Sequence, residues 1–205
     1  MNRFTRYLEL YIYDSKIRFN IATLVGIIFN AFYIVLNLIL GIFYENAWFV
    51  TVSVYYLLIA FFRYVLIDGG GSTEVYNDNF HTLAQLMLVL AFPMGGMVVY
   101  TVLFGTPRTP PSTVLPIFAI YAFFSLVKAI IGIVFSLKGK SSVRLGAHFV
   151  RLSLALMSAF NLQTSLIVFL NTDKALSVKL NFITGGAAVL SIFAIAIEGI
   201  RKKGK

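Results

Sequence analysis

Long apolar segments separated by short polar ones make up almost the whole chain. Six runs reach the length of about 20 residues that a membrane-spanning helix needs. They occupy residues 19–43, 47–67, 81–104, 113–137, 145–170 and 180–200. Transmembrane β-strands would alternate apolar and polar residues over about ten positions, and these runs do not alternate. The pattern therefore predicts an all-α integral membrane protein with six transmembrane helices.

The amino-acid composition also indicates lipid as the main surroundings of the chain. Of its 205 residues, 59% are hydrophobic and 12% are charged, whereas soluble domains have about 45–50% apolar and about 25% charged residues. A soluble chain of this composition would expose a large apolar surface and aggregate. The first apolar run has no clear cleavage site, so we predict that it is a span and not a signal peptide.

The basic residues predict the orientation of the chain. Fourteen of its 17 Lys and Arg residues lie at the two termini, beside the turn after the second span, or around the turn after the fourth. Arg108, Lys174 and Lys179 lie on the other side. Because Lys and Arg resist translocation, both termini are expected in the cytosol, with residues 201–205 as a basic tail. This multi-pass topology fits a bacterial inner membrane, although the predicted cytosolic segment 68–80 is acidic.

The first eighteen residues have a pattern of their own. Phe4, Tyr7, Leu8 and Tyr11 follow the helical repeat and therefore fall on one side of a helix. The segment 1–18 is predicted to be an amphipathic helix that lies on the cytosolic surface of the membrane. The alternative is a tail that merely precedes the first span.

The even-numbered spans have related sequences. Residues 55–63 align with 120–128, a third copy covers 190–198, and each segment ends in or next to a charged residue. One interpretation is a threefold repeat of helical hairpins, since many transporters contain internal repeats. The other is that these helices all end at the cytosol and carry a charge there without being repeats.

Polar residues recur at seven-residue intervals within the spans. The first span has Thr23, Asn30 and Asn37 in such a row, and the second has Tyr56 and Arg63. Residues at this spacing lie on one side of a helix. An asparagine amide in hydrocarbon is costly unless it has hydrogen-bonding partners, so these rows should face protein or water. They either line a polar cavity or hold neighbouring helices together.

Three cations are predicted to meet near the cytosolic ends of their spans, namely Arg63, Lys128 and Arg151, with Glu198 as a counter-charge. Charged hydrogen bonds to phosphate are strong, so this cluster suits an anionic solute or a lipid phosphate. The alternative is that each long side chain extends separately to the interface. The predicted substrate-binding residues are Thr23, Asn30, Asn37, Tyr56, Arg63, Tyr121, Lys128, Arg151, Asn161 and Glu198.

Catalytic and metal-binding chemistry has little support in the sequence. The chain has no cysteine, and its two histidines are His81 and His148. Asp78 lies one turn before His81, but at the edge of a loop, and two residues do not make a metal site. It has no nucleophile-elbow, metalloprotease or nucleotide-binding motif. Pro93, followed by Gly95 and Gly96, predicts a kink in the third span. We expect no enzymatic activity, no metal and no cofactor.

These features lead to two hypotheses about function. In the first, the protein handles a small or anionic solute as a transporter, a channel or a substrate-binding membrane subunit. In the second, it is an accessory protein without transport activity that binds anionic lipids on the cytosolic side and acts through a partner. The expected partners are the bilayer with its anionic lipids, a small-molecule ligand, and a partner subunit or a second copy of the chain. The net charge of +9 is attributed to membrane topology, and no nucleic acid is expected.

Overall fold

The computed structural model describes residues 15–68, 73–105, 112–138 and 142–201. Within these residues all regular secondary structure is α-helical. The helices are α1 (Ser15–Phe43), α2 (Ala47–Asp68), α3 (Thr73–Leu103), α4 (Leu115–Lys138), α5 (Ser142–Phe169) and α6 (Lys174–Arg201). The predicted amphipathic helix 1–18 falls mostly outside the described residues, and only 15–18 are seen, as the start of α1.

Each helix contains an apolar stretch of 18 to 24 residues, which is long enough to cross a membrane. The predicted all-α fold with six spanning helices is thus confirmed. α6 begins at Lys174, earlier than the predicted start at residue 180. The reason is a helix cap, because the Asp173 carboxylate accepts hydrogen bonds from the backbone amides of Ala175 and Leu176 at 3.0 and 3.3 Å. This cap allows the polar residues that follow to join the helix.

The distribution of side chains is that of a membrane protein. Large apolar side chains such as Ile28, Phe43 and Phe104 lie on the outer surface. Amide groups lie in the interior, among them Asn37 and Asn161, which have no exposed surface. Because the solvent around the bundle is hydrocarbon, apolar residues face outward and polar groups find their partners inside.

Three helix pairs pack most closely, namely α1 with α2, α4 with α5, and α3 with α6. Three successive hairpins would instead pair α3 with α4 and α5 with α6. The packing therefore follows the hairpin interpretation only for α1 and α2. The helices instead form two units, α1–α3 and α4–α6. In each unit the first two helices form a hairpin, and the third helices of the two units, α3 and α6, pack against each other.

Glycines allow two of these close pairs to form. A Cβ atom added at Gly41 of α1 would lie only 2.6 Å from Cγ2 of Val50 in α2, and one added at Gly132 of α4 would overlap the ring of His148 in α5. Small residues at helix contacts let backbones approach closely in membrane proteins. Both hairpins thus require a glycine, which has no side chain, near the C-terminal end of their first helix.

Two neighbouring glycines of α6 provide a test of the α3–α6 contact. A Cβ at Gly185 would overlap Val98 of α3 and lie 2.9 Å from Phe160 of α5, whereas one at Gly186 would meet nothing within 4 Å. We predict that Gly185→Ala lowers the free energy of unfolding by about 1–3 kcal/mol, the usual cost of overpacking. Gly186→Ala should leave it unchanged or raise it by up to about 1 kcal/mol, because alanine is the better helix former and has room there. Thermal unfolding in detergent measures both, and equal midpoints for the two variants would contradict the packing.

Candidate functional site

A cavity of about 290 Å³ lies between α1, α2, α4 and α5. It is at the end of the bundle where α1 and α5 begin and where α2 and α4 end. The residues that line it are Thr23, Gly26, Phe29, Asn30, Arg63, Tyr121, Phe124, Ser125, Lys128, Ile131, Val150, Arg151 and Leu154.

The cavity exists because α1 and α4 are bridged by side chains and are not one of the closely packed pairs. The Tyr121 hydroxyl of α4 donates a hydrogen bond of 2.9 Å to Oδ1 of Asn30 in α1. The Tyr121 ring also stacks on Tyr33 of α1, with 4.0 Å between centroids and 14° between the ring planes. Two aromatic rings therefore keep the helices apart at mid-depth and leave space between them toward the end of the bundle.

Arg63 carries the deepest charge in the cavity. Its side chain is 9% exposed, and its guanidinium lies over the backbone of α1 at Gly26. A Cβ at Gly26 would overlap Nη1 of Arg63 and lie 3.1 Å from its Cζ, so a larger residue there would displace the charge. Among the residues that the structure describes, no side chain forms an ion pair with Arg63.

Lys128 and Arg151 bring two more positive charges to the same cavity. Lys128 is on the exposed side, with Nζ 4.2 Å from the centre of the Phe124 ring. Arg151 is half-buried in the wall formed by α5. These cations repel one another electrostatically, and within the described part of the chain no carboxylate lines the cavity. Positive charge is thus collected without an acidic partner among the described residues, in an interior where desolvation of a charge is costly.

The cavity also has hydrogen-bonding groups for a ligand. Asn30 is 1% exposed, and its Nδ2 has no hydrogen-bond partner in the described residues. A buried donor left without an acceptor costs about 1–3 kcal/mol. On the opposite wall, the Ser125 hydroxyl is 2.5 Å from the Ser158 hydroxyl. Because this nitrogen is fully buried, an acceptor in the cavity receives a hydrogen bond from it only after the Asn30 side chain turns toward the cavity, whereas the cations line the cavity directly.

A polar network lies deeper in the bundle, beyond the cavity. Nδ2 of Asn161 donates to the Tyr33 hydroxyl at 3.1 Å, and Nε1 of Trp48 donates to Oδ1 of Asn161 at 2.9 Å. Nδ2 of Asn37 donates to the Tyr33 backbone oxygen at 2.8 Å. The ring of Tyr56 packs on Tyr33, with centroids 4.7 Å apart. Trp48, Asn161 and Tyr33 thereby join α1, α2 and α5. Asn37 bonds within α1, and its Oδ1, like the Tyr56 hydroxyl, has no hydrogen-bond partner among the described residues.

The predicted site residues thus separate into two sets. Asn37, Tyr56 and Asn161 belong to the deep network and do not line the cavity. The side chain of Glu198 lies outside the part of the chain that the structure describes. The residues that the structure does bring together in the cavity wall are Thr23, Asn30, Arg63, Tyr121, Lys128 and Arg151.

Sequence reasoning missed several residues of the cavity wall. Gly26 lies one turn after Thr23 on the same side of α1, so the row of polar residues already pointed to it. Ser125 likewise lies one turn after Tyr121 on α4. Phe29 and Phe124 had no such signal, because an aromatic residue in a span is usually explained by contact with lipid.

The other candidate features add no chemistry to the cavity. The described residues contain no group of three His, Cys, Asp or Glu side chains that could hold a metal ion. α3 is helical on both sides of Pro93. Pro93 and Gly96 contribute to a second cavity of about 260 Å³, which is mainly apolar and also includes Trp48 and Tyr100.

Comparisons of this chain with protein-family models, with curated proteins and with solved structures gave no match. The function has to be inferred from the chemistry of the cavity itself.

The single tryptophan of the chain provides a test of the deep network. Replacing Asn161 with Leu leaves Nε1 of Trp48 without an acceptor and the Tyr33 hydroxyl without a donor. We predict a loss of about 1–3 kcal/mol in the free energy of unfolding and a shift of Trp48 fluorescence to shorter wavelength. The control is Thr184→Ala, whose hydroxyl bonds only to the Leu180 carbonyl of its own helix. An unchanged emission spectrum in Asn161→Leu would contradict the network.

Proposed function

We propose that this chain is a membrane protein that binds the anionic group of a small solute in the cavity, as a transporter, a channel or a substrate-binding membrane subunit. The observation that carries the proposal is a buried Arg63, accompanied by Lys128 and Arg151, in a cavity without a carboxylate among its described residues. A positive charge held in this way is stabilised when an anion enters. Binding or transport, and not catalysis, is the proposed activity.

The chemistry of the wall supports a phosphate or carboxylate as the bound group. Arginine presents several donors in a planar arrangement that matches both anions, and lysine adds a mobile point charge. The Asn30 amide is a further neutral donor once its side chain turns toward the bound group. A volume of about 290 Å³ is at the lower end of the roughly 300–1,000 Å³ typical of ligand pockets, which suits a small headgroup or solute.

The distribution of basic residues supports a cytosolic opening. The cavity lies at the end of the bundle where α1 begins, and this is the side on which most Lys and Arg residues of the chain are predicted to lie. Lys and Arg are retained in the cytosol. We therefore propose that the site faces the cytosolic half of the inner membrane and that both termini are cytosolic.

The alternative function is an accessory protein that binds anionic lipid and acts through a partner. One observation favours it: the cavity wall includes Phe29, Phe124 and Ile131, whose side chains are also exposed on the outer surface. A site for a water-soluble solute would have less reason to open toward lipid. Both functions use the same cations, so a single variant tests anion binding under either one.

Anion binding is tested by replacing Arg63 with Gln in the purified protein. At constant ionic strength, inorganic phosphate, sulfate or glycerol 3-phosphate should raise the thermal midpoint of the wild type, because a ligand at 100 times its Kd stabilises by about 2.7 kcal/mol. We predict that Arg63→Gln abolishes this rise. Lys179→Gln removes an exposed charge of α6 outside the cavity and should retain it.

Lys128→Gln is a second variant of the site, because Lys128 is exposed and its replacement should not impair folding. It should weaken anion binding about tenfold, since hydrogen bonds to charged groups contribute about 1.5–3 kcal/mol. If the anions raise the thermal midpoint equally in the wild type, Arg63→Gln and Lys128→Gln, the proposal is overturned. An equal loss in Lys179→Gln would show a general charge effect and would also contradict a specific site.

A further inference from the structure

The cavity has a candidate opening on the outer surface of the bundle, between α1 and α4, where two phenylalanine rings contact each other. Phe29 of α1 and Phe124 of α4 both line the cavity and are 52% and 48% exposed, with ring centroids 6.3 Å apart. Ile131, further along the cavity side of α4, is also exposed. The wall of the cavity therefore continues onto the outer surface, which in a membrane is in contact with acyl chains.

The two sides of this opening differ in chemistry. Inside it are the guanidinium groups of Arg63 and Arg151, and the unpaired amide nitrogen of Asn30 is buried in the wall. At its edge are the two phenylalanine rings, with the Lys128 ammonium over one of them. A ligand that covers both sides must have an anionic group joined directly to an apolar chain.

The helices that border the opening are suited to lateral entry. α1 and α4 contact each other through the rings of Tyr33, Phe29, Tyr121 and Phe124 and through the hydrogen bond to Asn30, and they are not a closely packed pair. Side chains can change rotamer without moving a backbone, on the fast timescale of side-chain motion. The Phe29–Phe124 contact can therefore open while the two helices stay in place.

We infer that the ligand is an anionic amphiphile that enters from the bilayer between α1 and α4. Its phosphate or carboxylate binds Arg63, Lys128 and Arg151, and its apolar chain leaves between Phe29 and Phe124 and continues along the outside of α4. This inference depends on the proposed anion binding and adds the class of ligand. The same chemistry is offered by a membrane phospholipid and, without the chain, by a free phosphate, and the experiment below distinguishes the two.

Brominated lipids can detect a chain in this position, because bromine quenches tryptophan fluorescence at short range. A tryptophan is introduced by Ile120→Trp, since Ile120 is 70% exposed and lies one turn from Phe124 on the same side of α4. The control is Phe182→Trp, which is 63% exposed on α6 and lies about one turn further from the start of its helix than Ile120 does. Trp48 is buried and is present in both, and its signal is subtracted.

Quenching is measured in liposomes with brominated phosphatidylglycerol and again with brominated phosphatidylcholine, at equal mole fractions in unlabelled lipid. For Ile120→Trp we expect about twofold more quenching by the anionic lipid, and for Phe182→Trp equal quenching by both lipids. Combining Ile120→Trp with Arg63→Gln or with Lys128→Gln should make the quenching by the two lipids equal.

The outcomes separate the inference from the proposed function. If the excess quenching by the anionic lipid disappears when either Arg63 or Lys128 is replaced, the result supports an anionic amphiphile as the ligand. Equal quenching by both lipids, combined with a phosphate-induced rise in the thermal midpoint that depends on Arg63, overturns the amphiphile and retains the binding of a free anion. Equal quenching without that rise overturns both. An excess that persists in Arg63→Gln and Lys128→Gln contradicts the assignment of the charged group to this cavity.

Discussion

The rest of the site depends on a guanidinium group, that of Arg63, held inside a membrane-spanning bundle without an acidic partner among the described residues. An isolated charge at membrane depth is costly and is tolerated when it lies at a water-filled cavity or near a partner. Two neighbouring features of the structure meet this requirement. Gly26 leaves room for the guanidinium, and the bridged contact of α1 and α4 leaves space for water or an anion in front of it.

The aromatic and amide groups at mid-depth give that space a fixed inner end. Tyr121 bonds to Asn30 and stacks on Tyr33, and the Tyr33 hydroxyl accepts a hydrogen bond from Asn161. Most polar groups of this network satisfy one another, which is more favourable in hydrocarbon than leaving them unpaired, and the Asn30 Nδ2 is the exception among those named here. Polar residues of the spans thus have two roles. The deeper ones, such as Asn161, join neighbouring helices, and the outer ones, such as Thr23, line the cavity.

The sequence was sufficient to predict the helical membrane fold and much of the cavity wall. Hydrophobic length alone identified six spans, and the seven-residue rows placed Thr23, Asn30 and Arg63 on buried helix faces. It could not tell that Asn37 and Asn161 are used in packing, because the same spacing serves a cavity and a helix contact. That distinction depends on which helices meet, and pairing is a property of the packed bundle.

A different internal comparison would have pointed to the pairing of helices. Aligning residues 28–43 with 119–134 without gaps places Gly41 over Gly132 and Asn30 over Tyr121. Both glycines face the second helix of their own hairpin, and Asn30 and Tyr121 are hydrogen-bonded to each other. Comparing α1 with α4 thus agrees with the packing. Comparing the even-numbered spans aligned Arg63 with Lys128, which do line the same cavity, but it suggested three successive hairpins that the packing does not follow.

The central claim is that the cavity is an electropositive site open to anions, and the absence of cysteine permits a direct measurement. Ser125→Cys places one thiol in the cavity wall, and Thr113→Cys places one in an exposed position elsewhere. The rates of modification by anionic and cationic methanethiosulfonate reagents are compared at low salt. The account predicts that the anionic-to-cationic rate ratio of the cavity thiol exceeds that of the exposed thiol by about tenfold or more, because the local potential concentrates anions. Equal ratios in the two variants, or a preference for the cation at the cavity thiol, would contradict it.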